Sequence, residues 1–272
     1  MLNSNLNIAI LEYDIKWGDK NANLNIVIDA FNKIPHGTDV VILPEMFSTG
    51  FITDSYEKAA ELAERNTQGT IAALNKIAAS HHVAITGSFL ASTASQLYNR
   101  AFFIEPNGDE TFYDKHHLFR MGGEREIYNP GVTLPPTIRF RGWNIKIIVC
   151  YDLRFPVWCR NKYDKNESYD LLITIANWPK VRVHPWHTLL AARAIENECY
   201  VCGANRSGID PNGIDYASSS VIYDYKGIEC QTQEIKIPLG KIITHSLNRD
   251  ALCQFKEKFP AWKDADNFTV SI

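Results

Sequence analysis

Cys150 closes an apolar, β-branched run, residues 145–149, broken only by Lys146. Such a run reads as a buried strand in a sheet covered on both faces. The sequence then turns polar through Asp152 and Arg154 and reaches Pro156, a residue suited to the first turn of a helix. A thiol at a strand-to-helix elbow lies beside backbone N–H groups that favour thiolate and bind an oxyanion. A nucleophile also needs a base and a positive charge. Glu45 follows the run 40–44 and Lys115 follows 112–114, so both sit where strands end. Ligand sites in α/β sheets gather at the carboxyl ends of strands, which lets three distant residues share one pocket. Glu45 would then take the thiol proton, Cys150 attack an electrophilic carbon, and Lys115 with the N–H of Tyr151 hold the oxyanion. Glu45 would next protonate a departing nitrogen and activate water against the thioester. Residue types alone do not select this set, because a buried structural thiol, a solvated carboxylate and a surface lysine fit the same positions.

The surrounding pattern supplies the elements. Strands are expected over residues 7–11, 39–43, 83–89, 171–176 and 200–205, with helices over 21–34, 56–65, 70–81 and 187–197. Runs 98–104 and 111–113 flank Pro106-Asn107-Gly108, a hairpin signal, and residues 218–223 with 228 onward suggest another about Lys226-Gly227. Strands at 235–237 and 242–246 finish the sheet, and Asn248 caps a last helix to Lys258. Nothing divides the chain, so residues 1–272 are read as a single domain. The tail 259–272 carries Phe259, Trp262 and Phe268 with too little structure to bury them, and is expected to dock on a partner subunit.

Composition narrows the function class. The chain has 272 residues, 45% of them hydrophobic and 22% charged, which is ordinary for a globular protein. A formal net charge of −3, with scattered Lys and Arg, gives no basic field for nucleic acid and points to a small-molecule partner. The N-terminal residues 1–10 show no leader pattern, and no apolar stretch reaches the length of a membrane span. Six cysteines in a chain without a leader read as reduced thiols, hence a cytoplasmic protein. Cys199 and Cys202 have the spacing of a redox or zinc pair but lie in a strand-like run with no second pair, and adjacent His116 and His117 are expected to point apart, so no metal and no cofactor is expected.

Three segments carry a resemblance. Leu43-Pro44-Glu45-Met46-Phe47, the run from Tyr113 through Lys115 to Phe119, and the run from Val149 through Cys150 to Pro156 resemble, in order, the three motifs of the nitrilase or carbon–nitrogen hydrolase superfamily. The likeness extends from residue 7 to about 246. It implies an α/β fold, a four-layer αββα sandwich of the nitrilase type, normally a homodimer formed through helices beside the active site. It also implies Glu45 as general base, Lys115 as stabiliser of the intermediate and Cys150 as nucleophile. A second glutamate after the lysine matches Glu124 by position, with Glu126 close by. Ala176-Asn177-Trp178-Pro179, residues 192–197 and residues 257–262 further resemble the bacterial omega-amidase branch, which implies hydrolysis of the terminal amide of 2-oxo acids such as 2-oxoglutaramate or 2-oxosuccinamate. Deaminated glutathione amidases and carbamoyl-amine hydrolases are neighbouring branches, and a non-catalytic scaffold is the reading from another class. For the substrate carboxylate the sequence offers Arg154 and Arg125, although Arg154 suits an ion pair with Asp152 as well. Tyr151 and Trp178 complete the expected substrate-binding set, Trp178 as a pocket wall or as core.

Overall fold

Alternate residues of the first strand, β1 (Asn5–Tyr13), enter two different cores: Leu6, Ile8 and Ile10 face one, Ala9, Leu11 and Tyr13 the other. A strand of period two that is apolar on both faces must be covered on both. A computed structural model describes residues 4–272 except Thr67, Ser95, Tyr163, Lys165 and Asn166; Met1–Asn3, the start of the stretch read for a leader, lie outside the described residues.

After β1 come α1 (Lys20–Phe31), β2 (Val40–Ile42), α2 (Tyr56–Leu62), α3 (Gly69–His81), β3 (Ala84–Thr93), β4 (Gln96–Ile104) and β5 (Glu110–Asp114). The middle of the chain forms α4 (Glu124–Ile127), β6 (Thr137–Phe140), β7 (Trp143–Val149), a 3₁₀ turn at Cys150–Arg154, α5 (Pro156–Cys159) and β8 (Leu171–Ile175). Then follow α6 (Val183–Asn197), β9 (Tyr200–Ala204), β10 (Gly208–Ile209), β11 (Asp215–Tyr216), β12 (Val221–Tyr223), β13 (Gln233–Ile237), β14 (Gly240–Asn248) and α7 (Arg249–Lys258).

Two sheets result, ordered β13-β14-β1-β2-β3-β4-β5 and β12-β9-β8-β7-β6, besides the small β10–β11 ribbon. Each has three parallel strands at its centre, β1-β2-β3 and β7-β8-β9, flanked by antiparallel neighbours. One core lies between the sheets, where Ile8, Ile42 and Phe103 meet Ile147, Ile173 and Cys202. A second lies between the larger sheet and α1 and α3, through Val27, Phe31, Ile71 and Leu74. On the far side α6 packs Trp186 and Leu190 onto the smaller sheet. Its approach needs a glycine: a Cβ at Gly203 would stand 2.5 Å from Leu190 Cδ1. Helices, two sheets and helices make the expected four layers.

Several sequence expectations change. α6 begins at Val183 rather than 187, because Pro185 falls in its first turn, where a missing N–H costs nothing. The expected hairpin about Lys226-Gly227 shrinks to a single bridge between Tyr223 and Glu229. The hairpins β6–β7 and β10–β11 were not expected, the second because strands of two residues show no periodicity. Part of the tail lies on its own chain: Val270 packs against the buried cluster built around the smaller sheet and Lys162 sits over the Phe268 ring, while Phe259 remains exposed. Among the described residues no helix is long and apolar enough to cross a membrane.

Candidate active site

The carboxyl ends of β2, β5, β7 and β8 open on one cavity of about 170 Å³, lined by Glu45, Lys115, Cys150, Tyr151 and Asn177 at its inner end. That is small beside the roughly 300–1,000 Å³ of sites for drug-sized ligands. The backbone is left-handed at two non-glycine positions here, Met46 (φ 49°) directly after Glu45 and Cys150 (φ 46°) itself. Each such residue costs about 1–2 kcal/mol and persists only where its surroundings impose it. At Met46 the constraint is Ser88 Oγ, which accepts from its N–H at 2.9 Å.

At Cys150 the constraint is Asp152. One oxygen of this buried carboxylate accepts from Val149 N–H at 3.1 Å and from the Tyr113 hydroxyl at 2.8 Å. The other accepts from His117 N–H at 3.0 Å and lies 2.8 Å from His117 Nδ1. Tyr113 and His117 flank Lys115, so one carboxylate ties the cysteine turn to the lysine strand end. Gly131 closes the far side, where a Cβ would fall 2.0 Å from the Asp114 carbonyl, and its N–H bonds the Lys115 carbonyl at 2.9 Å. The two histidine rings do not point apart as expected. They meet edge to face at 4.7 Å, because His116 stacks on Trp158 and His117 on Phe155, and neighbouring aromatic partners draw them together.

Glu45 is buried and fully engaged. Its Oε1 accepts from Asn99 Nδ2 at 2.7 Å and Lys115 Nζ at 3.1 Å, its Oε2 from the Asn177 N–H at 2.7 Å. Lys115 Nζ also donates to both oxygens of Glu124, at 2.9 and 2.8 Å. Burial pulls the ammonium pKa down, but Glu124 and Glu45 more than offset it and hold Lys115 well above the lysine range. Glu124 is pushed up by burial, pulled down by Lys115 and raised again by Glu45. Its Oε2 accepts the Phe119 N–H at 2.5 Å. Between the two glutamates considered from sequence, Glu124 is the buried partner and Glu126 is exposed.

Burial raises the Cys150 thiol well above its ordinary range, and the charge of Glu45, to which it hydrogen-bonds, adds to the effect while Lys115 opposes it. The Cys150 thiol therefore rests neutral, not as the thiolate that the elbow position suggested: burial, helped by the charges of Glu45 and Glu124, outweighs the pull of Lys115. Alkylation of Cys150 by iodoacetamide is therefore expected to climb with pH through 9 without a plateau, followed by peptide mass. A plateau near neutral pH would contradict this assignment.

Further out, the cavity is walled by Phe51, Phe119, Trp178 and the β10–β11 hairpin, with Tyr151 leaning on Phe119 at 5.1 Å. Trp178 serves as both wall and core, since it lines the cavity and packs on Trp186 at 5.2 Å. Arg154 does not pair with Asp152, whose oxygens are taken; its guanidinium lies 5.1 Å over the Trp178 ring and lines the cavity. Arg125 is exposed on α4, outside the lining, because the four-residue helix turns Glu124 inward and its neighbour outward. Arg182 lines the cavity instead, over Phe119 at 5.4 Å. Sequence reasoning also missed Asn99, which lies beside Arg100 in the polar first half of β4 and so gave no signal of burial.

The sequence profile described as "Carbon-nitrogen hydrolase" matches residues 7–234. The chain belongs to the carbon-nitrogen hydrolase family. It is 41% identical over 265 residues to the omega-amidase YafV of Escherichia coli K12, covering 97% of this chain and 98% of that protein. The 2-oxoglutaramate amidase of Bacillus subtilis is 32% identical over 219 residues, covering 80% of this chain and 82% of the relative. A crystal structure of a CN-hydrolase superfamily protein from Xanthomonas campestris, with an arsenic adduct in its active site, superposes with a TM-score of 0.89 at 36% identity, covering 98% and 99% of the two chains. This carbon-nitrogen hydrolase is an enzyme acting on carbon–nitrogen bonds.

Proposed function

We propose that this hydrolase is an omega-amidase, converting the terminal amide of a small 2-oxo acid, 2-oxoglutaramate or 2-oxosuccinamate, to the dicarboxylate and ammonia. The observation that carries the reading is the meeting of a neutral thiol, a buried carboxylate and a buried ammonium in one small cavity. As Cys150 Sγ bonds to the amide carbon, its proton passes to Glu45, and the carbonyl oxygen takes up charge against Lys115 Nζ and the Tyr151 N–H. Glu45 then gives the proton to the nitrogen, the carbon–nitrogen bond breaks, and ammonia leaves a thioester. Water attacks next, giving a proton to Glu45, and the thiol is restored as the carboxylate departs. Glu124 holds Lys115 charged and in place. Arg154 supplies a cation for the substrate's own carboxylate.

The reading extends to assembly. Val157, Val181 and Ile195 are exposed apolar side chains that suit a homodimer interface, to which Phe259 of the tail adds. Six free thiols suit a reducing, cytoplasmic setting.

The test is ammonia release from 2-oxoglutaramate and 2-oxosuccinamate, with glutamine, asparagine and a simple nitrile for comparison, and hydroxylamine to trap the acyl-enzyme as a hydroxamate. Preferred turnover of the oxo-amides with hydroxamate formation is expected. Preference for another amide would overturn the substrate, and hydrolysis without a trappable acyl group would overturn the thioester.

A further inference from the structure

The cavity's outer half holds two guanidinium groups, and one aromatic scaffold positions both. Arg154 lies over the Trp178 ring. The same indole donates its N–H to the Arg182 carbonyl at 2.7 Å, which fixes where the Arg182 side chain starts. That side chain extends over Phe119, whose N–H is held by Glu124, the partner of Lys115. Both arginines are half-buried, and among the described residues neither has a carboxylate partner. Guanidinium groups held on aromatic faces and left without an anion form a fork ready for one.

The other acid of the outer cavity does not fill this role. Asp210 Oδ1 accepts from the N–H groups of Asn212 and Ile214 at 2.9 and 3.0 Å, and its Oδ2 from the Tyr216 hydroxyl at 3.0 Å, so its charge is spent in shaping the β10–β11 hairpin. Lys180, two residues before Arg182, bonds Asp215 of that hairpin at 2.8 Å and ties the two walls together.

Resting on the omega-amidase reading, we infer that Arg182 is a specificity-determining residue: with Arg154 it grips the carboxylate at the far end of the substrate. The cavity has its nucleophile at one end and this fork at the other, so an acid that seats its carboxylate in the fork presents its opposite end to Cys150. The fork thus accounts for selection of the terminal amide, and it favours anionic amides over neutral ones of the same length.

The experiment measures kcat and KM of wild type, Arg182→Ala and Arg182→Gln on 2-oxoglutaramate and on pentanamide, a neutral amide of the same chain length. The expected result is a rise in KM for the anionic amide of about 30-fold or more with kcat changed by less than about threefold, so that the anionic-to-neutral ratio of kcat/KM collapses. The dependence of KM on added salt should weaken in parallel, since one charge pair has gone. Glutamine keeps the carbon stem of arginine to Cδ and a planar polar end, which covers the case where alanine disturbs the Phe119 wall. Equal losses on both amides, or an unchanged KM, would overturn the role of Arg182. A wild type that prefers pentanamide would instead remove the oxo-acid reading on which the inference stands, and that outcome is visible before any variant is made.

Discussion

Cys150→Ala is expected to drop amide hydrolysis to background, a loss of about 10⁴-fold or more in kcat, and Glu45→Gln to fall nearly as far. Both follow from the thiol's resting state. Burial and the charge of Glu45 keep Sγ protonated, and a protonated thiol attacks poorly, so the proton must leave during attack. The group that hydrogen-bonds the thiol is Glu45, and glutamine in its place cannot take a proton. The two variants part on simpler chemistry. Removing the carboxylate removes a cause that raises the thiol's pKa and leaves the pull of Lys115, so Glu45→Gln should be alkylated by iodoacetamide at pH 8 faster than wild type. Hydrolysis and thiol reactivity would then move in opposite directions; because unfolding would expose the other five thiols too, the faster alkylation must be confined to Cys150 in the peptide map. The double variant should cost no more than either single one, because the groups act as a unit. A Glu45→Gln enzyme that kept a tenth of wild-type turnover would remove Glu45 as the base.

The strand ends before Glu45 and Cys150 could be read from apolar runs, but Lys115 comes after Asp114, and it was the resemblance of three ordered segments that set Glu45, Lys115 and Cys150 apart. What the pattern did not carry was which neighbours complete them. Arg125 and Glu124 are adjacent in sequence, and four residues of helix contain too little periodicity to tell which one faces inward. Arg182 was hidden by Pro185, which made the turn before α6 look like loop and moved the expected helix start to 187. The hairpin that walls the cavity has strands of two residues, so its one sequence signal was the turn chemistry of Pro211-Asn212-Gly213, which went unread. Asp152 shows the opposite case. Its motif position was plain, yet three of its four hydrogen bonds, to Tyr113 and His117, join segments far apart in sequence, and only packing brings such partners together.

Lys115→Met tests the other half of the charge balance and should reduce both activity and stability. The Lys115 ammonium is buried with Glu45 Oε1 at 3.1 Å and Glu124 Oε2 at 2.8 Å. Methionine fills much of the same space but leaves two buried carboxylates facing each other across Asn99, whose Nδ2 lies 2.7 Å from one and 3.4 Å from the other. Breaking a buried pair in this way costs about 3–5 kcal/mol, which for a chain of this size lowers Tm by roughly 10 °C. Loss of one oxyanion donor lowers kcat by about 10²–10³-fold. The pH dependence has a fixed sign. Glu124 is already raised by burial and by Glu45, and without Lys115 it rises further. A carboxyl whose folded pKa exceeds its unfolded one favours folding below the unfolded value and loses that contribution as pH rises through the folded one. The stability gap between Lys115→Met and wild type should therefore be small near pH 4 and widen towards pH 8. Adding Glu124→Gln removes one of the two stranded charges, so the double variant should recover much of the lost Tm and none of the activity. Thermal unfolding of the three proteins across that pH range decides the matter: a gap that stays constant with pH, or a double variant no more stable than Lys115→Met, would mean that Lys115 acts by filling space and that its charge does not hold the two carboxylates together.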